Sequence, residues 1–173
     1  WDTGRWMKAV IWPMIRKEIP EAELHIYGSY PPKKATELHK PENGFHIKGW
    51  AANALDVMKK ARVSLAPLRF GAGIKGKLAD AMLAGTPSVT TTVGAESMHD
   101  GLDWCGAIAD DPERFADAAV ALYRDQTAWQ TAQQNGYAIV LKLFNRAENG
   151  ASLINRITAC RKNIETDRIN NFT

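Results

Sequence analysis

Ala61-Arg62-Val63-Ser64-Leu65-Ala66-Pro67, followed by Leu68-Arg69-Phe70-Gly71-Ala72-Gly73-Ile74-Lys75-Gly76-Lys77, decides the fold of this chain. The first half is a short apolar run that reads as a buried strand, and Pro67 ends it because proline has no N–H for a ladder. Three glycines within six positions, Gly71, Gly73 and Gly76, then make a turn in which the backbone is free to bend and to approach a ligand. Leu78, Ala81 and Met82 follow at helical spacing, Gly85 closes the helix, and Pro87 opens a second apolar run. Strand, loop, helix and strand in that order predict a right-handed crossover between two parallel strands.

The same alternation extends in both directions. Strands are predicted at residues 23–27, 45–49, 62–67, 87–92 and 106–109, with helices at 33–40, 53–61 and 77–84. The pattern implies an α/β sandwich in three layers, a mainly parallel sheet of about five strands with helices on both faces. Residues 5–18 carry Trp6, Val10, Met14 and Ile15 at helical spacing, with Pro13 as a kink. Past residue 109 the chain reads as wholly helical. Asp111 and Pro112 form an N-cap and first-turn pair ahead of Phe115, Ala119 and Leu122. Thr127 is the expected cap of the next helix, with Trp129, Ala132, Ile139, Val140 and Leu143 inward, and a last helix is expected over 148–163. Neither repeats nor a linker interrupt residues 1–173, so one domain is expected, with βα units over 1–110 and C-terminal helices over 111–173. The chain opens on Trp1 directly ahead of a helix, and a piece of a longer protein is the expectation.

Composition narrows the function classes. Of 173 residues, 45% are hydrophobic and 24% charged, which suits a packed globular core. Lys and Arg number 22 against 19 Asp and Glu, too balanced for a polybasic nucleic-acid arm. Any anion must therefore be met by a few placed cations. Two cysteines, Cys105 and Cys160, make neither a disulfide framework nor a zinc cluster and fit a reducing compartment. No apolar run reaches the ~18 residues of a membrane span, and no signal-like segment opens the chain.

Open parallel sheets bind ligands at the carboxyl ends of their strands, so the loops that follow each strand matter most. The loop after residue 67 combines free N–H groups at a helix start with Lys75 and Lys77, the parts of a phosphate site. Asp80, about one turn into the helix, suits sugar hydroxyls better than phosphates. The plainer reading of the same residues is a solvated loop, with Asp80 favouring the helix dipole. Gly71, Gly73 and Gly76 also spell G-x-G-x-x-G, the letters of a dinucleotide site. Against that reading, the loop follows the third predicted strand, the next strand ends in three threonines rather than an acid, and two lysines are surplus.

The wider stretch, from Ala61 through Asp80-Ala81-Met82 to Ala84-Gly85-Thr86-Pro87-Ser88-Val89-Thr90, resembles the nucleotide-sugar-binding half of GT-B glycosyltransferases. The likeness is to the large retaining family called glycosyl transferases group 1, and it runs in order from about Arg5 to Leu143. Ala22 to Gly28, His46 to Trp50 and Gly94-Ala95-Glu96 extend it. The resemblance implies a Rossmann-like C-terminal donor domain of a two-domain enzyme. It implies that Gly71, Ala72, Gly73, Ile74, Lys75 and Lys77 meet the donor diphosphate and sugar. Asp80 would hold the ribose, and Gly49 and Trp50 would lie near the base, although Trp50 serves equally as a half-buried packing residue. The family's usual second acid, eight positions before the ribose acid, is Ala72 here. The family's first strand and basic loop are not among these residues, so the sheet must close up, borrow a strand or run one short. The catalytic His is expected in the absent N-terminal domain.

The implied activity is hexosyltransferase-like glycosyl transfer from a nucleoside-diphosphate sugar, with no further cofactor, to a carbohydrate or lipid-linked acceptor held by that absent domain. The isolated chain is expected to transfer sugar weakly or not at all. A cytoplasmic location is expected, with peripheral membrane attachment of the full-length protein left open. The alternative is a noncatalytic nucleotide- or dinucleotide-binding module used for binding or assembly. His25 and His46 sit inside predicted strands and read as packed or surface residues, and His39 and His99 have no nearby Cys or acid at metal spacing, so no metal site is expected. Trp104, Trp129 and Phe144 read as packing residues, and Asn171-Phe172-Thr173 is a glycosylation sequon in letters only.

Overall fold

The computed structural model describes residues 2–170, and the 171–173 sequon lies outside them. The chain begins with α1 (Asp2–Trp6), a π-helical turn at Met7–Ile11, and α2 (Trp12–Glu18). The kink expected at Pro13 takes the form of that wide turn: Pro13 sits at the start of α2, and the Trp12 amide donates five residues back, to the Met7 carbonyl. Strands β1 (Leu24–Tyr27), β2 (Phe45–Gly49), β3 (Ser64–Ala66), β4 (Ser88–Thr90) and β5 (Gly106–Ile108) follow in the predicted order. Between them lie α3 (Lys33–Thr36), α4 (Ala54–Lys60), α5 (Gly76–Ala84) and α6 (Thr92–Ala95). The C-terminal part is α7 (Pro112–Arg124), α8 (Gln126–Leu143) and α9 (Arg146–Asn170).

Every strand ladder is parallel, and helices cover both faces. On one face Met7, Ile11, Trp12 and Ile15 pack with Phe115 and Ala119 of α7 against Phe45 and Val89. On the other, Leu78 and Met82 of α5 meet Ile139 of α8, with Met98, Trp104 and Cys105. Full burial of a Leu, Ile, Met or Phe contributes about 1.5–3 kcal/mol, so these two clusters hold the layers together.

The single expected sheet is divided. Hydrogen bonding runs β1-β2 and, separately, β3-β4-β5. Leu24 N donates to Gly44 O and Gly28 N to Gly49 O, so the even-numbered residues of β1 face β2 and the His25 backbone points away. Ser64 N donates to Pro87 O, so the Leu65 backbone points away from β4. Between β1 and β3 lies a cavity of about 1020 Å³, lined by Leu24, Ile26, Val63 and Leu65 and backed by Met7, Trp12 and Ile15. Among the described residues no strand lies between β1 and β3, and the sheet stays divided.

Several boundaries move for identifiable reasons. β3 starts at Ser64 rather than residue 62, because the Arg62 carbonyl accepts from the Trp129 indole at 2.7 Å instead of joining a ladder. β4 ends at Thr90, because the Thr91 side chain caps α6 by accepting from Gly94 N. Asp125, not Thr127, caps α8, its carboxylate accepting from Ala128 N at 3.0 Å. Helix α3 is one turn, not the expected 33–40. The last helix starts at Arg146 under an Asn145 cap and extends past residue 163. The Asp111 cap is as expected, accepting from Glu113 N and Arg114 N at 3.1 and 3.0 Å.

Candidate functional site

The glycine-rich loop leaves β3 through a tight turn in which Leu68 N donates to Ala66 O at 2.8 Å. Two threonines from the end of β4 hold that exit: Thr90 Oγ1 donates to Ala66 O and Thr91 Oγ1 to Leu68 O. These are two of the three threonines that stand where a dinucleotide site would carry an acid. Gly71, Ala72, Gly73 and Ile74 are exposed, and Gly73 has φ +69° with open space where a Cβ would stand, a left-handed position that favours glycine. The loop ends on Lys75, which precedes α5 and whose carbonyl accepts from Leu78 N at 2.8 Å.

The two lysines part company. The Lys75 side chain is only 7% exposed, and its Nζ donates to the Glu96 carbonyl at 3.1 Å and lies 3.9 Å from the Glu96 carboxylate. Its backbone amide donates to Met98 Sδ at 3.3 Å. Lys75 therefore fastens the loop to the turn after α6, contrary to the expectation that its ammonium stands open beside Lys77. Lys77 is exposed and Asp80 half-buried. Both line the cavity between the two sheets at its carboxyl-end mouth, together with Tyr27, Ala51, Pro67 and Leu68.

At this edge of the sheet the N-terminus of α6 is already filled. The Asp110 carboxylate accepts from Thr92 N at 2.8 Å and from the Thr92 hydroxyl at 2.6 Å, closing α6. The Thr92 hydroxyl first, then its amide, hold the Asp110 carboxyl below the ordinary carboxylate range. The first turn of α5 carries neither an acid nor a side-chain cap. An anion entering from this edge thus meets free donors at α5 rather than α6.

Gly49 takes φ +75°, and its carbonyl accepts from Gly28 N. Trp50 is 69% exposed, so it is not the half-buried packing residue of the second sequence reading. Neither lines the cavity, although the adjoining Ala51 does. Tyr27, the Thr90 and Thr91 brace, and the Lys75–Glu96 bridge were not legible as site features. Their signal lies in partners from other strands, which a local pattern does not contain. Trp104 packs as expected, its indole donating to Ser88 O at 3.2 Å.

Residues 2–125 match the family model described as Glycosyl transferases group 1. The chain belongs to that family. A curated relative, the poly(glycerol-phosphate) alpha-glucosyltransferase of Bacillus subtilis (strain 168), is 28% identical over 158 residues, which are 86% of this chain and 23% of the relative. Among solved structures, a variant of S. aureus TarM in complex with Fondaparinux, alpha-GlcNAc-glycerol and UDP superposes with a TM-score of 0.72 at 14% identity. That match covers 87% of this chain and 32% of the other. The pneumococcal O-GlcNAc transferase GtfA, in complex with UDP and GlcNAc, superposes at 0.58 with 22% identity, over 83% of this chain and 32% of the other. These neighbours fit the Rossmann-like GT-B fold, and the chain spans 23% of the curated relative and 32% of each solved neighbour. Among the described residues, no helix is long and apolar enough to cross a membrane.

Proposed function

We propose that this chain is the donor-binding domain of a glycosyltransferase and holds a nucleoside-diphosphate sugar at the carboxyl ends of β1 and β3. One observation carries the reading: Lys77 and Asp80 line the same cavity mouth, beside a helix N-terminus with no acid of its own. A diphosphate has its charge met by Lys77 and by the Gly76 and Lys77 amides that open α5, while Asp80 accepts from ribose hydroxyls. The Gly73 and Ile74 backbone faces the donor sugar, where Ala72 offers no acceptor. The exposed Trp50, one residue before the cavity-lining Ala51, stacks on the base in this reading. Donors aimed at the departing diphosphate are what sugar transfer requires, since negative charge grows there as the bond breaks. Transfer itself needs an opposing domain to hold the acceptor and exclude water. The parent enzyme would be of the retaining type, cytoplasmic, with a carbohydrate or lipid-linked acceptor. On this reading the open slot beside β3 takes a strand from the parent chain.

The test is a calorimetric titration of the chain with UDP, GDP, ADP and NAD in parallel, UDP first because both solved neighbours hold it. Saturable binding of one nucleoside diphosphate and not NAD, weakened in Asp80→Ala, is the expected result. Binding of NAD alone, binding of none, or full affinity in Asp80→Ala would overturn the reading. Sugar transfer by the parent protein, lost in Asp80→Ala, separates an enzyme from a noncatalytic binding module.

A further inference from the structure

Glu23, His25 and His46 come together on the strand pair β1-β2, at the end of the strands away from the glycine-rich loop. Glu23 and His25 are two residues apart, so an extended chain puts them on one face, and His46 is the register partner of His25 in the parallel ladder. The Glu23 carboxylate reaches both imidazoles: Oε2 lies 2.8 Å from His25 Nε2, and Oε1 lies 3.8 Å from His46 Nε2. All three ligand atoms fall within 4.8 Å of one another, the one such group among the described residues. The two rings stand edge to face with centroids 5.1 Å apart.

The unusual feature is His46 Nε2. It is sealed from solvent and has no hydrogen-bond partner. An orphaned buried nitrogen of this kind costs about 1–3 kcal/mol, and natural structures rarely keep one unless something occupies the space beside it. A third ring, His39, lies 5.8 Å from that of His46, but its Nδ1 already accepts from Ile47 N at 3.0 Å. Its other nitrogen therefore carries the proton and has no lone pair to offer.

We propose that Glu23, His25 and His46 form a binding site for a divalent transition ion, with zinc the best fit, that clamps β1 to β2. Two imidazoles and one carboxylate with a fourth position open is an established zinc donor set. At Zn–N and Zn–O lengths near 2.0–2.2 Å, tetrahedral ligands sit about 3.3 Å apart. The two distances from Glu23, 2.8 and 3.8 Å, straddle that value, so small side-chain rotations close the site. Coordination uses the His25 Nε2 lone pair, so a neutral His25 binds the ion as the tautomer that carries its proton on Nδ1, with Glu23 turning its carboxylate from that ring nitrogen to the ion. The ion fastens the strand pair that the open slot leaves unattached to β3, with water in its fourth position, and the proposal does not depend on the nucleotide reading.

The experiment titrates chelator-treated protein with zinc chloride, following heat, melting temperature and the imidazole proton resonances. One ion per chain, a rise in melting temperature, and shifts of His25 and His46 but not His99 are expected. His46→Ala and Glu23→Gln should each weaken binding about tenfold or more, while His99→Gln binds as the parent does. Glu23 is exposed, so its variant keeps the fold and decides the matter even where His46→Ala does not. Zinc binding that is unsaturable, or unchanged in Glu23→Gln, would sink the proposal.

Discussion

Lys75 and Lys77, two residues apart in one loop, are expected to fail in opposite ways when truncated. Lys75→Ala removes a buried aliphatic stem, worth about 0.8 kcal/mol per methylene, and leaves the Glu96 carbonyl without its charged donor. The desolvation cost of the buried ammonium, which the variant no longer incurs, offsets part of that loss. The net expectation is a destabilisation of about 1–3 kcal/mol, seen at a urea slope of about 2 kcal/mol/M as a fall of about 0.5–1.5 M in the midpoint. Lys77 is exposed in the first turn of α5, where alanine is a good helix former, so Lys77→Ala should stay within about 0.5 kcal/mol of the parent. Its cost appears in binding. Losing a hydrogen bond from a charged group, about 1.5–3 kcal/mol, lowers affinity for UDP by roughly 10- to 150-fold. Urea unfolding and calorimetry on both variants make the comparison. An unchanged midpoint in Lys75→Ala, or UDP affinity undiminished in Lys77→Ala, would show that the two ammonium groups have been given the wrong posts.

Three further outcomes are expected. Gly106→Ala would place a Cβ 2.2 Å from the Ser88 carbonyl oxygen at φ +141°, a backbone clash with no flexible group to move. A loss of more than about 3 kcal/mol, or failure to fold, should follow, and a variant as stable as the parent would contradict the β4-β5 packing. Asp110 has a folded-state pKa below its unfolded one, so its closure of α6 contributes fully above the ordinary carboxylate range and fades as pH falls through it. The stability difference between the parent and Asp110→Asn should accordingly shrink from pH 7 to pH 3, and a difference independent of pH would be the contrary result. Last, if the slot between β1 and β3 is open, the Leu65 amide should exchange with solvent deuterium faster than that of the fully buried Val89. Equal protection would mean that the edge is paired.

Much of this fold was legible residue by residue. The apolar runs marked all five strands in order, Asp111-Pro112 marked the start of α7, and the glycines marked the loop that opens the site. These are local signals: a cap, a turn and a period depend only on a few neighbours in the chain, and the physics acting on them is short-ranged. Family membership was readable for the same reason, since the stretch from Ala61 to Thr90 carries its residues in one continuous unit. The boundaries that slipped are those settled by distant partners. Arg62 is drawn out of a strand by Trp129, and Thr127 is passed over because Asp125 offers a carboxylate two residues earlier.

Sequence alone determined the order of the elements and the residue types available to a ligand. Tertiary structure decided which of them face it. Lys75 and Lys77 are alike in composition and adjacent in the motif, yet one is folded inward by Glu96 and the other stands beside Asp80. His25 and His46 are 21 positions apart in the chain and become neighbours only through the register of β1 on β2. The division of the sheet was likewise open in the sequence, which allowed closure, borrowing or a missing strand. Helices α2 and α7 join both strand groups in one cluster through Phe45 and Val89 while β1 and β3 share no ladder, an outcome of long-range packing that no local pattern contains.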